Sequence, residues 1–134
     1  MELSKIKDTT QEVADAIAAV LDVDVTIIDK NMYRVAATGI YKEQIGERLP
    51  KNCSFEMIGK KGKAEFIDRP NYSRKCIGCK MKGSCSELAS LGYPIMEKGK
   101  LIGVIGLLAF DLEQKQKIYA DYESLLVFLN RLGN

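Results

Sequence analysis

The stretch Tyr93-Pro-Ile-Met-Glu-Lys98-Gly-Lys-Leu101-Ile-Gly-Val-Ile-Gly-Leu-Leu-Ala-Phe110 decides the architecture. A proline-opened segment, Tyr93 to Glu97, leads through Lys98-Gly99-Lys100 into an almost continuous apolar run from Leu101 to Phe110. Two such segments joined at a glycine turn form an antiparallel hairpin, and a strand apolar on both faces belongs near the centre of a sheet. Pro94 is expected at the start of its strand, where its missing N–H costs no ladder bond. The apolar run is about half as long as the roughly 20 residues a helix needs to cross a bilayer. It therefore reads as a buried strand.

Downstream, Asp111 is a good N-cap with Gln114 three residues on, and Ile118, Tyr122, Leu125, Leu126 and Leu129 form the apolar stripe of a closing helix that nearly reaches Asn134. Upstream, residues 68 to 86 show no periodicity and hold Pro70, Asn71, Gly78 and Gly83 together with Cys76, Cys79 and Cys85. A loop of that length in a compact domain calls for a function or an internal staple. Before it, Lys63 to Ile67 reads as a strand, and Asn52 or Ser54 caps a short helix carrying Phe55, Met57 and Ile58 that ends at Gly59 or Gly62.

Val23, Val25 and Ile27 alternate with Asp24 and Thr26, and Asp29-Lys30-Asn31 supplies turn formers, so residues 23 to 38 read as a second hairpin. The first helix spans Ser4 to Leu21, with Val13, Ile17, Val20 and Leu21, and Ile6 and Thr10 upstream, on its apolar stripe. The fold class is α+β: a mainly antiparallel sheet of about five strands with helices at both ends, residues 1 to 134 forming one domain.

A hydrophobic fraction of 46% and a charged fraction of 28% are those of an ordinary globular chain, which argues against disorder and fibrous repeats. The N-terminus alternates charges with apolar residues and lacks the apolar segment of a secretory signal, so the expected compartment is the cytoplasm. A net charge of +2, no basic helix and no aromatic beside the basic loop except Tyr72 argue against direct nucleic-acid binding. No membrane contact is expected either.

In a reducing compartment, cysteines at short spacing are metal ligands or redox groups more often than disulfides. Cys76-Ile-Gly-Cys79 followed by Cys85 gives C-x2-C-x5-C, and with Cys53 these thiols number four. Four thiolates are the ligand set of structural zinc and of iron–sulfur clusters, and with no histidine in the chain a mixed site is ruled out. Arg74, Lys75, Lys80 and Lys82 stand beside the thiols, where they would offset an anionic centre. The plainer alternative leaves Cys53 as a small buried hydrophobe and the rest as unligated loop thiols.

The hairpin from Tyr93 to Leu107 resembles the terminal hairpin of GAF domains, and GAF/PAS-like is the fold it implies. The order of a Val25-Thr-Ile-Ile-Asp29 strand, the cysteine loop and this hairpin resembles the N-terminal sensory region of sigma-54-dependent transcriptional activators of anaerobic bacteria, over roughly residues 8 to 131. No Gly-x4-Gly-Lys-Ser/Thr loop is present, so the ATPase module of such activators is missing from this chain.

The resemblance implies a signal-sensing domain that is not an enzyme. It would control a transcription-regulating output partner, hold an iron–sulfur cluster or zinc on Cys53, Cys76, Cys79 and Cys85, and pair with a second copy through its terminal helices. A small ligand is expected between sheet and short helix, lined by Val25, Ile27, Tyr33, Val35, Phe55, Ile58, Phe66 and Ile95, with Thr26, Arg34 and Ser54 as polar groups. The alternative is a thiol-redox enzyme of the GAF-like class using Cys76, Cys79 and Cys85.

Overall fold

The computed structural model describes residues 2–81, 83 and 85–132. Five strands form one sheet: β1 (Asp24–Asp29), β2 (Arg34–Ala37), β3 (Glu65–Asp68), β4 (Ala89–Glu97) and β5 (Lys100–Ala109), in the order β2-β1-β5-β4-β3 with every pairing antiparallel. The apolar run Leu101 to Ala109 is thus the middle strand, flanked on both sides. Three helices complete the fold: α1 (Lys7–Leu21), α2 (Ser54–Lys61) and α3 (Leu112–Leu132).

Alternation along the strands sorts their side chains onto two faces. Val25, Ile27, Leu91, Ile105 and Leu107 pack with Ala14 and Ile17 of α1 and with Ile118, Leu125 and Leu129 of α3. Ile28, Val104 and Leu108 face the other way and pack with Phe55 and Ile58 of α2, Met32, Leu49 and Cys53. Asp111 begins α3 as expected. Its Oδ1 accepts from the Gln114 amide at 2.8 Å while Gln114 Oε1 accepts from the Phe110 amide at 2.8 Å, so two otherwise orphaned donors are satisfied reciprocally.

Three local expectations are corrected. On α1 the buried residues are Thr10, Ala14 and Ile17, while Val13 and Val20 are exposed, the latter by 76%. The small alanine brings the helix backbone close to the sheet, and the wider valines are turned outward. The N-cap of α2 is Cys53, with neither Asn52 nor Ser54 in that position, and Asn52 carries a positive φ of 62° one residue earlier. Pro94 lies inside β4, opposite Val104. Since β3 pairs with β4 only from Ala89 to Gly92, a proline at 94 removes no bond to β3.

Gly92 and Gly106 are cross-strand partners on the face that α2 covers. A Cβ at Gly106 would come within 2.7 Å of the Phe55 ring, and one at Gly92 within 2.4 Å of Ile58 Cδ1. The absence of both side chains is what lets α2 settle directly on the sheet backbone.

Candidate functional site

The cavity opens beside the N-terminal end of α2 and has a volume of about 360 Å³. β2 supplies Arg34, the segment after it Tyr41 and Arg48, the start of α2 Cys53, Ser54 and Phe55, and the long loop Pro70, Cys76, Cys79, Cys85 and Glu87. Each contribution has a local cause. A 3-10 turn, Gly39–Gln44, swings Tyr41 back over the sheet. Two further short turns, Pro70–Tyr72 and Arg74–Cys76, compact the loop, and the Cys79 amide donates to the Cys76 carbonyl at 3.0 Å, bending the C-x2-C segment on itself. Asn71 pins the loop's far end: its Oδ1 accepts from the Gly83 and Cys85 amides, each at 2.8 Å, and its Nδ2 donates to the Cys85 carbonyl at 3.0 Å.

All four cysteines therefore line one cavity, although Cys53 reaches it from a different part of the chain. All are free thiols, Cys53 and Cys76 buried, Cys79 and Cys85 partly so. Burial pushes the Cys53 thiol up to about 11. Burial, and next the Glu87 carboxylate, push Cys85 up to about 12. Both are protonated at neutral pH, so each would release a proton on ligating a metal. Among the described residues no three Cys, Asp or Glu side chains converge closely enough to hold a metal ion in this arrangement. The donor set is nonetheless that of an all-thiolate centre, soft sulfur with two donors on one tight turn. Arg74, Lys75 and Lys80 flank it in sequence, while Lys82 lies outside the described residues.

A polar chain runs beside the thiols and meets them where the Cys85 side chain hydrogen-bonds Glu87. Arg34 Nη1 donates to Thr26 Oγ1 at 2.6 Å, and the guanidinium carbon sits 4.1 Å from the centroid of the Tyr41 ring. The Tyr41 hydroxyl donates to Glu87 Oε2 at 2.5 Å. Burial raises the pKa of Glu87, opposed by the Tyr41 hydrogen bond and the Arg34 charge, and burial also raises that of Tyr41. Arg48 is paired differently: its Nη2 meets Glu56 Oε2 at 2.8 Å, and Nη1 donates to the Leu49 carbonyl at 2.9 Å. Hydrogen bonds from the Asn52 amide and from Arg48 hold the Glu56 carboxyl below the usual carboxylate range.

Of the eight apolar residues expected to line a ligand pocket, Phe55 lines this cavity. Val25, Ile27 and Val35 are buried on the face covered by α1 and α3, with Phe66 and Ile95 packed against that cluster; Ile58 is core under α2, and Tyr33 is exposed by 45%. Among the polar groups, Arg34 and Ser54 line the cavity and Thr26 is held by Arg34. Tyr41, Arg48 and Glu87 carried no signal in the sequence: Tyr41 and Glu87 are 46 residues apart, in irregular segments.

This arrangement of a five-stranded antiparallel sheet, terminal helices on one face and a cavity under a loop and short helix on the other is the GAF fold. Among solved structures, the chain is similar to the GAF domain of NLH2 from A. aeolicus in an inactive state, with a TM-score of 0.67 and 14% identity over 96% of this chain and 80% of that one. In sequence it is 35% identical over 117 residues to UacR of Escherichia coli K12, a sigma-54-dependent transcriptional regulator to which uric acid is provisionally assigned. That match covers 87% of this chain and 20% of the regulator, so the chain spans about a fifth of its relative's length. No family model matches.

A third likeness corrects an expectation. The type II free methionine-R-sulfoxide reductase of Thermoplasma acidophilum has the same fold, with a TM-score of 0.62 and 13% identity over 82% of this chain and 79% of that one. The exclusion of enzymatic function drawn from the sequence does not hold, because a protein of this fold is an enzyme. No helix among the described residues is long and apolar enough to cross a membrane.

Proposed function

We propose that the chain is a signal-sensing regulatory domain that receives its signal in the thiol-lined cavity and controls a transcription-regulating output partner in the cytoplasm. The observation that carries this reading is the meeting of all four cysteines on one cavity, with Cys53 brought from the start of α2 to the wall that Cys76, Cys79 and Cys85 share. Homology to part of a sigma-54-dependent regulator supports the regulatory role. In this reading the four thiols hold zinc or an iron–sulfur cluster, and loading draws the loop inward, since the sulfurs flank the cavity without converging. The anionic oxo-purine named for UacR is a candidate effector for the same cavity. A second copy would pack along α1 and α3, whose outer faces expose Val13, Val20, Tyr119 and Val127.

The test is anaerobic purification followed by an absorption spectrum and metal analysis, on the natural chain and on Cys79→Ser. Visible charge-transfer bands with iron and sulfide, or stoichiometric zinc, support the centre when Cys79→Ser loses them. A colourless, metal-free protein after reconstitution with both metals would sink it. A second reading, thiol redox chemistry, is favoured by the fold shared with a sulfoxide reductase. There a dithiol would reduce a sulfoxide to the thioether, leaving a disulfide and water. Turnover of free methionine-R-sulfoxide with dithiothreitol, lost in Cys76→Ser, would establish it.

A further inference from the structure

We infer that the polar wall of the cavity is a recognition site for a small anion presenting two coplanar acceptor atoms, a carboxylate or the acidic edge of an oxo-heterocycle, held by the fork of Arg34. The inference deepens the sensing reading and rests on it for the site's purpose, but its chemistry needs no metal.

The argument begins with a contrast between the two arginines of the cavity. Arg48 is matched by Glu56 and by a backbone carbonyl. Arg34 is only 5% exposed, and among the described residues it forms no ion pair. Its Nη1 is bonded to a neutral hydroxyl, and its Nε is buried with no partner at all. Glu87 acts on this cation through space without closing to an ion pair, and an orphaned, buried guanidinium N–H is costly. The acid along the same wall, Glu87, is already engaged by the Tyr41 hydroxyl. Tyr41 also fixes the guanidinium by lying under it, so the fork is held ready for a planar partner. A cavity of about 360 Å³ with apolar Phe55, Pro50 and Pro70 around these few polar groups has the size and character of a small-molecule site. What the Arg34 fork lacks is a directly bonded acceptor pair, which an anionic ligand would bring.

The experiment titrates the chain with urate and, separately, with benzoate, using neutral benzamide as control, and reads calorimetric binding and the thermal midpoint. Metal content is measured on the same samples. At least one anion should bind and raise the midpoint, and benzamide should not. Preference for urate would assign the oxo-heterocycle, and preference for benzoate the carboxylate. Arg34→Met should weaken binding by about 100-fold or more, as expected for a buried charge that loses its partner. Arg34→Lys, which keeps the charge without the fork, should fold and bind at least about tenfold more weakly. The natural chain stripped of metal by a chelator should bind the anion as before, so a failed centre and a failed anion site are told apart. No binding of either anion, or equal binding by Arg34→Met, would overturn the inference.

Discussion

The two faces of the sheet are made from alternate residues of the same strands, yet they are built to different ends. Toward α1 and α3 the strands present Val25, Ile27, Leu91, Ile105 and Leu107 to helices that answer with Ile17, Ile118, Leu125 and Leu129. Toward α2 they present Ile28, Val104 and Leu108, but also Thr26 and two glycines, and beyond α2 stand a buried arginine, a buried glutamate and four thiols. A domain's net stability is a small difference between large terms, so polar groups of this kind can be kept only where another part of the molecule supplies the surplus. The helix-covered face is that surplus, and the cavity face is where it is used.

The comparison can be broken first from the helix side. Leu107→Ala should cost about 3 kcal/mol, within the range for a fully buried leucine, read as a shift in the urea midpoint at constant slope. A loss under about 1 kcal/mol would mean that this face does not carry the fold. Gly106→Ala drives a methyl into the Phe55 ring and should cost about 1–3 kcal/mol by overpacking. Unchanged stability would show that Phe55 moves freely.

Spread over a range of pH is the response of the metal-free chain to alkali. Burial raises Cys53 and Cys85 from the ordinary 9.0 to about 11 and about 12, so the unfolded chain loses these protons first. Their contribution is complete below pH 9 and declines as pH climbs through 9 toward 12. Denaturant midpoints across that window should fall, and should fall less in a Cys53→Ala, Cys85→Ala double variant. Asp111→Ala should cost about 1 kcal/mol through the lost cap of α3. At the small end, Cys79→Ser should change metal-free stability by less than about 0.5 kcal/mol while abolishing retention of a metal. A large loss there would place structural weight on the cavity face and erase the distinction.

Legibility in the sequence follows the same division. The hairpin at 93 to 110, the strand at Val25 to Ile27 and the Asp111–Gln114 cap are local patterns whose partners lie within a few residues, and periodicity reports them. The outer valines of α1 misled because apolar character alone does not say which side of a helix faces the core; the buried side is chosen by the small Ala14, which permits close approach. The cysteines were legible as a set through their spacing. Tyr41, Arg48 and Glu87 were not, because each is an isolated polar residue in an irregular stretch that acquires meaning only when the turn at Gly39–Gln44 and the loop before β4 bring distant segments together.

The bare backbone beneath Phe55 gives the molecule a built-in reporter. An aromatic ring within van der Waals reach of Gly92 and Gly106 perturbs the local magnetic field, so the α-protons of these two glycines should resonate away from their random-coil positions. The ring edge lies against the sheet while Phe55 also lines the cavity, so an occupant that displaces it changes the ring current at both glycines at once. Their signals then register filling of the cavity from the far side of the ring, without a label and without contact between occupant and reporter.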